Sequence, residues 1–139
     1  MITKKRTQKL KRYSVQFCNK VRADFPQIPF TLKNPRVKCF REKGITSDSK
    51  LQGIAEQTNK GLYIIDGEYI QEAGEIIIYN IIKEKPAELK TTIRHECLHF
   101  LLYESGLPDA DETNEFLALA IYYNARPYGL LKRLDLFDE

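Results

Sequence analysis

The sequence is poor in cysteine and has no long apolar run. Its three cysteines, Cys18, Cys39 and Cys97, form no C-x-x-C pair, which argues against a disulfide framework and against a thiolate zinc site. A reducing, cytoplasmic location is therefore expected. The longest apolar run, residues 76–82, is interrupted by Asn80 and is too short to span a bilayer, and the N-terminal stretch lacks the apolar segment of a signal peptide. We expect a protein that is neither secreted nor membrane-embedded.

Acidic residues are scarce in the first third of the chain. Residues 1–50 contain 14 Lys/Arg and 3 Asp/Glu, residues 51–103 contain 5 and 8, and residues 104–139 contain 3 and 8. Such a basic region can bind phosphates. No aromatic or glycine-rich nucleic-acid motif accompanies it, so a solvated helix attracted to the acidic part of the chain is the favoured interpretation, and a nucleic-acid partner is the alternative.

Length and patterning predict a single α+β domain over residues 1–139. Apolar residues spaced three to four apart predict a basic, amphipathic N-terminal helix over about residues 5–25, ended by Pro26. The middle of the chain predicts a small, mostly antiparallel meander of three to five strands, with candidates at residues 36–41, 52–58, 62–65 and 75–82.

Two more helices are predicted after the strands. Pro86 and Gly106 bound one at about residues 86–105. Asp109 as N-cap, with Glu112 three residues later, matches a capping box and predicts another helix that ends near residue 124. The segment 128–137 is expected to be a short helix or turn.

The only two histidines, His95 and His99, stand four positions apart in the H-E-C-L-H motif of the first of these helices. This spacing places both on one helix face, where each ring can offer a nitrogen to the same zinc ion. Glu96 is rotated by about 100°, which suits a general base more than a ligand. Zinc lowers the pKa of a bound water to about 7, and Glu96 would accept its proton and pass it to a leaving amine.

A catalytic zinc needs a third protein ligand, and a carboxylate from the next helix is expected. Asp109 and Glu112 are explained by capping, and Asp111 by the helix dipole. Glu115 begins an apolar run, where an unpaired carboxylate would be costly to bury, so it is the preferred ligand. Glu112 is the alternative, and Asp111 or no carboxylate ranks below it.

Three further residues near the motif are weaker candidates. Tyr122 and Tyr123 follow Glu115 by two helical turns, and either could stabilise an oxyanion, although such tyrosines are more often ordinary core or rim residues. Cys97 is expected to be a buried packing residue.

The order of basic helix, short sheet, E-I-I-I-Y-N strand, I-R-H-E-C-L-H-F-L-L-Y-E-S-G-L helix and N-E-F-L-A-L-A helix resembles zincin-like metallopeptidases of the ImmA/IrrE type. It also resembles small H-E-x-x-H proteins of phages and mobile elements. The resemblance covers residues 50–126. It implies one zinc held by His95, His99 and a glutamate of the following helix, with Glu96 catalytic. It also implies that the strand ahead of the active helix forms a sheet edge beside the cleft. Aligning Asn114 and Phe116 to the family pattern puts Glu112 at the ligand position.

The expected function is that of a zinc metalloendopeptidase acting on a protein or peptide substrate. The resemblance implies that this substrate can be a transcriptional repressor. The rival is a catalytically silent zincin-fold protein that binds a protein or nucleic acid, with the basic helix contacting phosphates. A purely structural zinc domain is a second rival, in which removal of the metal would unfold the chain.

Overall fold

The computed structural model describes residues 2–41, 44–45, 63–65, 67–111, 113–125 and 131–133. Three helices occur in these ranges: α1 (Ile2–Asp24), α2 (Pro86–Glu104) and α3 (Asn114–Tyr122). Six short strands accompany them: β1 (Arg36–Cys39), β2 (Gly44–Ile45), β3 (Tyr63–Ile65), β4 (Gly67–Ile70), β5 (Glu75–Ile78) and β6 (Leu131–Arg133). The α+β class is confirmed. No helix in these ranges is long and apolar enough to cross a membrane.

The sheet that supports the site is mixed, with strand order β1-β5-β4. β5 pairs antiparallel with β4 and parallel with β1. The prediction of a mostly antiparallel meander is therefore wrong for this sheet, because β1 pairs with a strand almost forty residues away and not with its neighbour in sequence. Local alternation of side chains cannot reveal such a partner.

A second three-stranded sheet, of order β2-β3-β6, is antiparallel throughout. Its last strand lies within the segment predicted as a short helix or turn, so that prediction is wrong over Leu131–Arg133. The strand predicted at 52–58 lies outside the described residues.

The core lies between the mixed sheet and the helices. Ile76 and Ile78 of β5 are fully buried, and their side chains alternate with the less buried Glu75 and Ile77. α2 lies centrally and packs against α1, α3, β4 and β5. α2 is enclosed on several sides, and ten of its residues are buried (Leu89, Thr92, Ile93, His95, Glu96, Cys97, Leu98, Phe100, Leu101 and Leu102). The motif histidines therefore stand on the most enclosed helix of the domain.

The observed bounds of α1 and α2 agree with those predicted from the sequence, but the observed start of α3 does not. Gly106, with φ of 74°, follows α2 in a backbone conformation that glycine adopts readily. α3 begins at Asn114, because Thr113 is its N-cap and accepts a hydrogen bond from the Phe116 backbone at 3.3 Å. The predicted cap at Asp109 is wrong, so residues 107–111 form a loop over α2.

Candidate metal centre

The two motif histidines face each other across one turn of α2. The distance between His95 Nε2 and His99 Nε2 is 3.2 Å. His95 is 2% exposed, so its ring is held in the interior and not at a freely solvated surface. Phe116 of α3 fixes both rings, stacking on His99 with centroids 4.1 Å apart and meeting the His95 ring edge-on at 4.9 Å.

Two backbone carbonyl oxygens determine which nitrogen of each ring carries the proton. His95 Nδ1 lies 3.1 Å from the oxygen of Ala125, and His99 Nδ1 lies 2.6 Å from the oxygen of Asp109. A carbonyl oxygen can only accept, so each Nδ1 donates its proton to it. In the neutral rings both Nε2 atoms then carry lone pairs. Backbone support of this kind is the usual outer shell of a metal-binding histidine.

Asp111 completes a triangle with the two ring nitrogens. Its Oδ1 atom is 2.7 Å from His99 Nε2 and 3.4 Å from His95 Nε2. The same oxygen is buried and accepts no hydrogen bond from the described residues. Burial raises the pKa of Asp111, but the neighbouring histidines outweigh burial and lower it. When both rings are neutral and their Nδ1 protons are directed at carbonyls, the three atoms that meet are all acceptors.

Three acceptor atoms facing one another repel, and a cation between them removes the repulsion. Zinc ligands at about 2.0–2.1 Å in tetrahedral arrangement lie about 3.3 Å from one another. Two of the observed separations, 3.2 and 3.4 Å, are close to that value, and the third, 2.7 Å between Asp111 Oδ1 and His99 Nε2, is shorter. A proton on one Nε2 is the metal-free alternative, since it would convert one contact to Asp111 into a charge-assisted hydrogen bond. The donor set and its spacing fit a divalent metal ion.

Glu96 lies beside this triangle and is 5% exposed. It forms a group with His95 and His99 whose potential ligand atoms all lie within 4.8 Å of one another, a group that could hold a metal ion. Asp111 Oδ1, at 2.7 and 3.4 Å from the two ring nitrogens, lies well placed to be a further ligand beside this group. Burial raises the pKa of Glu96, the nearby histidines oppose this rise, and Asp111 and Glu68 add to it.

β4 passes unusually close to α2 at the level of Glu96. A Cβ atom on Gly67 would lie 2.6 Å from Thr92 Cγ2, 3.0 Å from the carbonyl oxygen of Ile77 and 3.5 Å from Glu96 Cγ. Only glycine fits without displacement of these atoms. β4 is the terminal strand of the mixed sheet, and β5, which directly precedes α2, is central. The expectation that the strand ahead of the active helix forms the sheet edge is therefore wrong.

The structure gives no support to Glu115 as the third ligand. Its side chain is exposed in the first turn of α3, where the helix dipole already favours an acidic residue. Glu112 lies outside the described residues. On sequence alone Asp111 ranks last because the capping-box pattern places residue 111 inside a helix, whereas α3 begins at Asn114. Recognition of Thr113 as the N-cap would have left Asp111 in the loop and raised its rank.

The two tyrosines proposed for oxyanion stabilisation have other contacts. The hydroxyl of Tyr123 donates to Asp24 Oδ2 at 2.7 Å, and burial and this hydrogen bond raise its pKa. Tyr122 is 66% exposed and packs edge-on against Phe25. Their oxyanion role therefore gains no support. Cys97 is buried, in agreement with its expected packing role.

No family model, curated protein or solved structure matches the chain.

Proposed function

We propose that the protein is a zinc-dependent metallopeptidase of the zincin type that hydrolyses a peptide bond in a protein or peptide substrate. The observation that carries this proposal is the triangle of His95 Nε2, His99 Nε2 and Asp111 Oδ1, with Glu96 beside it. Both Nδ1 atoms are held by carbonyl oxygens, which keeps the opposite nitrogens available for the metal. The resemblance to ImmA/IrrE-type proteins supports the same activity.

His95, His99 and Asp111 would hold the zinc, and three protein ligands are the number found in catalytic zinc sites. When bound, zinc would supply a Lewis acid and lower the pKa of water toward neutrality. Glu96 takes a proton from the attacking water and delivers it to the nitrogen of the leaving amine. In the metal-free protein burial raises the pKa of Glu96, a direction that favours a carboxyl group able to hold a proton between the two transfers.

Hydrolysis can be measured with a quenched fluorogenic peptide library on the zinc-loaded protein. Turnover is expected from the wild type, and none from Glu96→Gln, which should keep its zinc because Glu96 is not assigned as a ligand. A chelator should remove turnover reversibly. Retained turnover in Glu96→Gln would overturn the assigned base, and failure of the zinc-loaded wild type to cleave any library member would count against a general peptidase.

A further inference from the structure

The exposed side of α1 carries positive charge along almost its whole length. The positions that face solvent between residues 4 and 23 are basic, amide or alanine (Lys4, Lys5, Gln8, Lys9, Lys11, Arg12, Gln16, Asn19, Lys20 and Ala23). Asp24, at the far end, is exposed and is bound by Lys20 at 3.3 Å and by Tyr123. We call the stretch formed by Lys4, Lys5, Lys9 and Arg12 the basic face.

β1 extends this charge across a groove. The groove lies between α1 and β1, has a volume of about 540 Å³, and is lined by Lys11 from the helix and by Arg36 and Lys38 from the strand. Arg36 is anchored by a hydrogen bond of 2.6 Å to the Ala73 carbonyl oxygen. Glu75 is the one acidic side chain in the lining. The groove adjoins the basic face at Lys11, so the two form one cationic surface.

This arrangement is unfavourable for the isolated helix. The first turn of α1 contains no acidic residue, and the basic face stands at the positive end of the helix dipole, where anions are stabilised and cations are not. Repulsion among neighbouring lysines adds to that cost. A polyanion bound along the surface would offset both effects.

The chemistry of the surface favours phosphates over a lipid bilayer. A membrane-surface helix presents large apolar residues beside its cations, and the solvent-facing positions between residues 4 and 23 of α1 include no apolar residue larger than alanine. From Lys4 to Arg12 the basic face rises about 12 Å, which corresponds to about three or four phosphates along one strand of a nucleic acid. Because the surface displays cations and amides without exposed aromatic rings on the helix, it fits the backbone and not the bases.

We propose that the basic face of α1, together with Lys11, Arg36 and Lys38, binds the phosphate backbone of a nucleic acid. The opposite side of α1 packs on α2, where Cys97 Sγ lies 3.9 Å from the Ser14 carbonyl oxygen and Arg94 donates to the Tyr13 hydroxyl at 2.9 Å. The surface is therefore separate from the face of α2 that carries His95 and His99. Nucleic-acid binding does not depend on the peptidase activity proposed above.

Fluorescence anisotropy with a labelled 20-base-pair DNA duplex, and with one of its strands, tests this surface. The wild type should bind at 50 mM salt with a dissociation constant below 100 µM, in the usual range for nonspecific sites or tighter. The triple variant Lys5→Gln/Lys9→Gln/Arg12→Gln should bind at least tenfold more weakly, and the slope of log affinity against log salt should become shallower by about three. Lys5→Arg/Lys9→Arg should bind like the wild type.

The matched control is Lys33→Gln/Lys83→Gln/Lys85→Gln, which removes three exposed lysines outside the surface and should change affinity less than twofold. Equal weakening of control and face variants would overturn the proposal, because net charge alone would then explain the binding. Absence of DNA binding, or sedimentation with phosphatidylserine vesicles in preference to DNA, would also overturn it. Glu96→Gln and His95→Ala should bind DNA like the wild type, so failure of the metallopeptidase proposal leaves this test unaffected.

Discussion

Replacing Asp111 with asparagine should weaken zinc binding strongly, whereas replacing Glu115 with glutamine should not. Asp111→Asn keeps the size of the side chain and one oxygen at the position 2.7 Å from His99 Nε2 and 3.4 Å from His95 Nε2, but it removes the negative charge. Glu115→Gln makes the same chemical change at an exposed position in the first turn of α3. Comparison of these two variants therefore separates the loss of a zinc ligand from the loss of one negative charge elsewhere in the protein.

The size of the effect follows from the ligand count. Zinc bound by four protein ligands gains about 10–16 kcal/mol, or about 2.5–4 kcal/mol for each ligand. Loss of one ligand then costs roughly 100- to 1,000-fold in affinity, and the neutral amide oxygen of asparagine places Asp111→Asn near the lower end, at about 100-fold. Glu115→Gln should change the dissociation constant by no more than about twofold.

Affinity can be measured by competition with a chromophoric zinc chelator at pH 7.5, with circular dichroism of both metal-free variants to establish that they are folded. Equal affinities of Asp111→Asn and the wild type would refute the assigned triangle. A 100-fold loss in Glu115→Gln would instead restore the sequence-based choice. If neither variant lost zinc affinity, Glu112 would be the next carboxylate to replace.

Three further predictions concern the surroundings of the ligands. Burial raises the pKa of Glu96 in the folded state, so its stabilising contribution is present below the unfolded pKa of about 4.3 and is lost as pH rises through the folded pKa. In metal-free protein, Glu96→Gln should therefore be more stable than the wild type at pH 8, with the difference shrinking toward pH 4 in urea titrations; a constant difference would refute this. Gly67→Ala should destabilise the domain by about 1–3 kcal/mol, because the new Cβ meets Thr92 Cγ2 at 2.6 Å, and Thr92→Ser in the same chain should recover part of the thermal midpoint. No recovery would assign the clash to the Ile77 carbonyl. Phe116→Leu should fold with a loss below about 1.5 kcal/mol but weaken zinc by about tenfold, because the ring that stacks on His99 is gone; unchanged chelator competition would exclude that role.

The parts of the fold that were predictable are those with local causes. α2 was predicted to within one residue, because Pro86 and Gly106 impose their conformations on the backbone whatever surrounds them. The proximity of His95 and His99 was equally predictable, since a spacing of four residues on a helix places two side chains together without tertiary information.

The parts that were missed depend on contacts distant in sequence. The parallel pairing of β1 with β5 joins Arg36 to Glu75, and no local pattern identifies that partner. The misplaced start of α3 had a similar cause. Asp109 and Glu112 match a capping box, but the Asp109 carbonyl oxygen accepts the His99 Nδ1 proton in the folded chain, and Thr113 forms the cap. The resulting loop is what brings Asp111 to the histidines.

The zinc content of the purified protein tests the central claim most directly. Elemental analysis after growth with added zinc and removal of loosely bound metal should give one zinc per chain in the wild type and less than a tenth of that in His95→Ala and His99→Ala. A wild type without zinc, or a histidine variant that keeps its full content, would contradict the assignment of these residues as metal ligands.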